Sequence, residues 1–259
     1  MLPNLVAALD SIGIDEVAAM VVTHIHLDPA GGAGHFAERY PAARIGVHAA
    51  GSRHLVDPSR LWDSAERIYT PAGMKSLWGP MHPVPEDRLL VLEEGSTISL
   101  GAGRFLDVMY TPGHARHHIV FSEEVSGGMF VGDSVGIAFP HGHMVQPVTP
   151  PPDFDEPLVV EQLRRMAARH PGFVGFAHSG VTSDVARVFE QAEGRLGEWV
   201  AFVESLEDAP DAVERLREWV LAGYRSEGRS EEDIDQYDRN TFWPMQVTGI
   251  QRWLSQREG

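Results

Sequence analysis

Residues 23–29 read Thr-His-Ile-His-Leu-Asp-Pro and stand at the end of the apolar run Val17-Ala18-Ala19-Met20-Val21-Val22. Such a run reads as a buried strand. His24, His26 and Asp28 fall at alternate positions as it runs out. In extended backbone, side chains at i, i+2 and i+4 share one face. Two imidazoles and a carboxylate are therefore expected to converge on one spot, just before the glycine-rich turn Ala30-Gly31-Gly32-Ala33-Gly34. Nitrogen and carboxylate donors of this kind suit zinc or another borderline divalent metal. The competing reading, two solvated loop histidines, loses ground because other stretches of the chain supply matching donors.

Thr111-Pro112-Gly113-His114 follows the strand-like run 104–110 and precedes another, Ile119-Val120-Phe121. Met129-Phe130-Val131-Gly132-Asp133-Ser134 places a carboxylate after an apolar strand. Phe173-Val174-Gly175-Phe176-Ala177-His178-Ser179-Gly180 places a histidine after another. In this order and at this spacing, over about residues 4–190, the motifs resemble the metallo-β-lactamase-fold hydrolase superfamily, whose signature is His-x-His-x-Asp-His. Pro29 stands where that family carries its last histidine.

The resemblance implies an α/β fold, the αββα sandwich of that family, over residues 1–183, with a helical C-terminal extension over 184–259 packing on it. It implies that His24, His26 and His114 hold a first metal, that Asp28 and His178 hold a second, and that Asp133 bridges the two. Asp28 and Asp133 are then also the catalytic carboxylates. Zinc is the expected ion at both sites, with manganese or iron as alternatives. A water between two such ions is activated for attack, so the implied activity is cleavage of an ester-type bond in a small-molecule substrate: carboxyl ester, thioester, lactone or phosphoester. Proline offers no ligating side chain, so the second site is expected to be weakened. Two other readings follow from that loss. One is a mononuclear iron oxygenase of the same superfamily using His24, His114 and Asp133. The other is a catalytically weakened, metal-stabilised binding or assembly protein. His117 and His118 are expected to orient ligands from outside the metal shell or to touch substrate, or one of them is simply exposed. His141 and His143, in a loop after Asp133, either touch substrate or are solvated. His35 is expected to be structural.

The elements that must position these residues can be read from periodicity. Strand-like runs occupy roughly 17–25, 43–48, 89–92, 96–100, 104–110, 118–122, 128–132 and 173–177. Asp155-Glu156-Pro157 opens a helix with an N-cap candidate, an acidic first turn and an early proline, which should stop near His170-Pro171. Helices are expected over 185–206, 211–224 and 248–257, with 225–239 as an acidic loop. Pro147 to Phe154 reads as a stiff extended connection. Trp62, Tyr69, Met74, Leu77, Trp78 and Met81 form an apolar insertion, either a pocket cap or packing for the C-terminal helices. Family members open with several strands, whereas Pro3 to Leu9 already resembles the first helix. If residues 1–259 are the whole protein, an exposed sheet edge and apolar face would result and a homodimer is expected, with a C-terminal helix folded back over the gap as the alternative.

Composition narrows the partners. The 259 residues contain no cysteine, so any metal must sit among histidines and carboxylates. A net charge of −16 argues against nucleic acid and anionic membrane surfaces. No apolar stretch approaches the roughly 20 residues of a membrane span, and no signal peptide is visible. A cytoplasmic location is the expectation.

Overall fold

The structure is a computed structural model and describes residues 2–139 and 144–257. His141 and His143 lie outside the described residues. The chain divides into two compact units: residues 1–98 with 107–110 and 117–119, and residues 99–106, 111–116 and 120–259. Strands and helices alternate as the sequence predicts, giving a mixed α/β architecture.

The first unit contains α1 (Leu2–Ser11), β1 (Ala19–Val21), α2 (Leu27–Ala30), α3 (Ala33–Arg39), β2 (Arg44–His48), α4 (Ala49–Val56), α5 (Ser59–Gly73) and β3 (Leu89–Leu92). Its sheet has the order β1-β2-β3 and both pairs are parallel, with Met20 opposite Ile45 and Val47 opposite Val91. Val22, Ile25, Phe36, Ile45, Val47 and Leu55 form its buried core. The strand expected over 17–25 is shorter than its apolar run, because β1 ends at Val21 and the chain turns helical at Leu27. Asp28 and Pro29 therefore sit in a first helical turn, where proline's missing N–H costs nothing. The insertion folds as α5 and a π-helical turn over Met74–Trp78. A break inside α5 falls at Thr70 (φ 62°), immediately before Pro71, whose ring disfavours helical backbone at the preceding residue. Leu61, Trp62, Tyr69, Trp78 and Met81 pack around Ala65, Met74 and Leu27.

Strands β4 (Thr97–Gly101) and β5 (Arg104–Tyr110) divide their residues between the units. The second unit then carries most of β6 (Ile119–Glu123), followed by β7 (Gly128–Gly132), β8 (Ile137–Phe139), β9 (Met144–Gln146), α6 (Glu156–Ala167), β10 (Phe173–Phe176), β11 (Gly180–Thr182), α7 (Val185–Ser205), α8 (Ala212–Ser226), α9 (Glu231–Asn240) and α10 (Trp243–Arg257). The second sheet has the order β11-β10-β7-β6-β5-β4. Within it β7 and β10 are parallel, whereas β6 with β7 and β10 with β11 are antiparallel.

The C-terminal helices share one core. Trp199, Leu216, Tyr224, Tyr237, Trp243, Ile250 and Trp253 are buried together with Met144 and Phe154. The acidic stretch 225–239, expected as a loop, is instead largely α9. Ser230 caps it by accepting from the Asp233 amide at 3.1 Å, and Ile234 and Tyr237 bury its one apolar stripe. The last helix also begins earlier than its apolar periodicity suggests, at Trp243, whose indole N–H donates to Asp238 at 2.8 Å.

Candidate metal centre

The first unit gathers His24, His26, His117 and His118. His24 is buried, and its Nδ1 lies 3.0 Å from the Thr23 hydroxyl, which directs its Nε2 the other way. Its ring meets His26 edge-on at 4.6 Å and stacks on the fully buried His118 at 4.9 Å. The segment carrying His117 and His118 is pinned to the histidine motif by two backbone donors. The Ile119 amide donates to the Thr23 carbonyl at 2.7 Å, and the Ile25 amide reaches His117 Nδ1 at 3.4 Å. Asp28 follows in the first turn of α2. Burial, and then the Asp28 charge, raise the pKa of the Tyr69 phenol, so the α5 insertion brings its aromatic ring close enough to feel that carboxylate.

The second unit gathers His114, Asp133 and His178. Parallel pairing sets Phe176 beside Gly132, so the chain leaves β7 and β10 at one sheet edge and delivers Asp133 and His178 there. His114 hangs on the loop after β5. Gly113 has φ 126°, and a Cβ there would lie 2.7 Å from the Val159 amide nitrogen of α6. Glycine is required on both counts. The Asp155 amide donates to the Gly113 carbonyl at 2.9 Å and locks this loop to the α6 N-terminus, which the Asp155 side chain caps at the Leu158 amide as expected.

The protons on this group follow from its partners. His114 Nδ1 lies 3.1 Å from the Val148 carbonyl, and a carbonyl only accepts, so Nδ1 carries the hydrogen. In the neutral ring, Nε2 then presents its lone pair, and it faces Asp133 Oδ2 at 3.8 Å. The other Asp133 oxygen, Oδ1, is 3.5 Å from His178 Nε2. Both separations are long for hydrogen bonds and suit two donors around a cation, with metal–ligand bonds of about 2.0–2.2 Å. A buried carboxylate with an imidazole beside each oxygen supplies nitrogen and oxygen donors of the kind that divalent cations take. The residues fit a divalent metal.

Val148 itself is held in place. The Thr149 amide donates to the Gln246 side chain at 2.7 Å, and the Thr149 hydroxyl donates to the Gln246 carbonyl at 3.0 Å. Gly249 lies so close that a Cβ would meet the Thr149 carbonyl oxygen at 1.7 Å. Thus α10 fixes the Pro-rich connection that orients His114. Nothing in the local sequence signals this link, and Tyr69 beside Asp28 is equally invisible there. A further group, His35, Glu38 and His82, lies in the first unit.

The profile of the metallo-beta-lactamase superfamily matches residues 3–178. The chain belongs to that superfamily. It is 32% identical over 174 residues to the metallo-beta-lactamase fold-containing protein ST1585 of Sulfurisphaera tokodaii, covering 66% of this chain and 63% of that one. The crystal structure of ST1585 superposes with a TM-score of 0.60 at 29% identity, over 72% of this chain and 69% of that one. An acyl-coenzyme A thioesterase, MBLAC2 of Gallus gallus, is 34% identical over 140 residues, which are 51% of this chain and 46% of that protein. The metallo-beta-lactamase family protein TTHA1429 of Thermus thermophilus shares the fold at 20% identity, with a TM-score of 0.66 over 98% of this chain and 80% of that one. The matches span less than two thirds of the length of these curated relatives. No helix among the described residues is long and apolar enough to cross a membrane.

Proposed function

We propose that the protein is a metal-dependent hydrolase of carboxylic esters, with thioesters as the favoured class. In this reading His24, His26 and His114 hold one divalent cation. Asp28, Asp133 and His178 hold a second, more weakly because Pro29 replaces an imidazole. The observation that carries the reading is Asp133, buried between His114 Nε2 at one oxygen and His178 Nε2 at the other. When bound, such ions lower the pKa of a water molecule and polarise the carbonyl under attack.

The chain's own residues supply the rest. Thr23 and the Val148 carbonyl fix the ring orientations of His24 and His114. Asp28 is the carboxylate suited to accept a proton from an attacking water. The Tyr69 phenol, whose pKa is raised by burial and then by the Asp28 charge, is a hydrogen-bond donor in the same neighbourhood. The partly buried Trp62, Tyr69 and Trp78 pack on the cluster of Met74 and Leu27, next to Asp28, and offer an acyl chain an apolar wall. That wall, together with the thioesterase among the relatives, favours thioesters over phosphoesters.

The test is reconstitution with zinc, manganese or iron, followed by elemental analysis and turnover of an acyl-coenzyme A, an aryl acetate and an aryl phosphodiester. Thioester and aryl ester should turn over. Asp133→Asn should lower kcat/KM by at least about 100-fold, beyond the ~10–100-fold typical of outer-shell losses. Full activity after metal removal, or a protein that retains no metal, overturns the proposal.

A further inference from the structure

One titratable cluster lies outside that machinery. His35 and Glu38 stand at i and i+3 on α3 and so share a helix face. His82 belongs to the irregular stretch that follows the π-helical turn. It is brought against α3 by Gly34, where a Cβ would meet the His82 carbonyl oxygen at 1.9 Å. Only glycine admits the second strand of backbone at that point.

The donors are also oriented. His35 Nε2 lies 2.9 Å from the Pro80 carbonyl, which can only accept, so this nitrogen carries the hydrogen and Nδ1 presents a lone pair. In the neutral ring that lone pair faces Glu38 Oε2 at 3.9 Å, longer than a hydrogen bond and a separation that two ligand atoms of one cation would span. The other Glu38 oxygen, Oε1, is 2.8 Å from His82 Nδ1. The two imidazoles lie 3.8 Å apart between ring centroids. Each residue offers a ligand atom, all within 4.8 Å of one another. The side chains are between about one third and two thirds exposed, so an ion can reach them from solvent.

We propose that His35, Glu38 and His82 form a separate divalent-metal site of the zinc class. Two imidazole nitrogens and one carboxylate would be its protein ligands, with water completing the tetrahedron. Carbonyl orientation of the His35 ring is the arrangement that ligating histidines use. Binding displaces the proton shared between Glu38 and His82 and ties α3 to the segment after the π-helical turn. The proposal is independent of the hydrolase reading.

Zinc titration by calorimetry and elemental analysis of dialysed protein test it, comparing the natural chain with Glu38→Gln and His82→Ala. Each substitution should remove one zinc equivalent, or weaken that equivalent by at least about 10–100-fold, while ester turnover stays unchanged. If the His24/His26 group bound nothing, the natural chain would still hold one zinc and lose it in Glu38→Gln. Circular dichroism establishes that each variant is folded, and the near-isosteric Glu38→Gln serves where His82→Ala is not. Unchanged zinc stoichiometry and affinity in the folded Glu38→Gln variant overturns the proposal.

Discussion

At Gly113 the backbone adopts φ 126° while the Val159 nitrogen of α6 lies where a Cβ would be placed. A side chain there meets conformational strain and a backbone clash together. Gly113→Ala should lower stability by about 1–3 kcal/mol and reduce metal retention, because the next residue is His114. Chemical denaturation with parallel metal analysis checks both effects, and a loss of stability with full metal retention would uncouple the loop from the ligand. Glu123 is a second single-residue case. The Arg104 guanidinium, together with the Ser126 side chain and nearby backbone amides, holds its carboxyl at about 2, against an ordinary 4.5. A carboxyl depressed on folding adds stability that is fully present above its unfolded value and is lost as pH falls through the folded value. Stability should therefore fall between about pH 4.5 and about pH 2, and Arg104→Ala should flatten that limb in acid titrations followed by circular dichroism. The candidate ligands are legible at this scale because histidines and carboxylates at strand ends have few structural uses. Tyr69 is not, since its proximity to Asp28 depends on a helical insertion whose path breaks at Thr70.

Among the elements, α9 teaches the most. Its composition is so acidic that apolar periodicity alone suggests a loop. Only Ile234 and Tyr237 are buried. The legible signal is local: Ser230 before Glu231, Glu232 and Asp233, a capping residue followed by an acidic first turn. Ser230→Ala should cost about 1 kcal/mol, within a range of about 0.5–2. Amide exchange across α9 should rise more than across α7, and equal changes in both would contradict a local capping role. Strands β8, β9 and β11 are illegible for a different reason. At three residues each they are too short to show alternation, and tertiary pairing rather than propensity sets them. By contrast the start of α6 is readable to the residue, because Asp155 and Pro157 are chemical punctuation, whereas its end at Ala167 falls short of the expected stop near His170-Pro171.

For the whole molecule, the proposed ions matter as much to stability as to chemistry. An ion that binds only the folded chain stabilises it by about 2.7 kcal/mol at a free concentration 100-fold above its Kd. Chelation should thus lower Tm by about 5–10 °C, and scanning calorimetry with and without chelator measures it. An unchanged Tm would mean that the ions, if bound, do not select the folded state. The contact between Thr149 and Gln246 adds a kinetic dimension. It joins residues 97 positions apart, and loop-closure entropy must be met before so distant a contact forms. Pulse-labelled exchange should show the Thr149 amide protected together with α10, and later than β6 and β7. Earlier protection would refute this order. The aim of His114 is then a product of folding history: its imidazole exists from the start, but a fixed direction for its lone pair arrives only when the distant helix docks, so metal capture can follow the completion of the fold as a chemical timer.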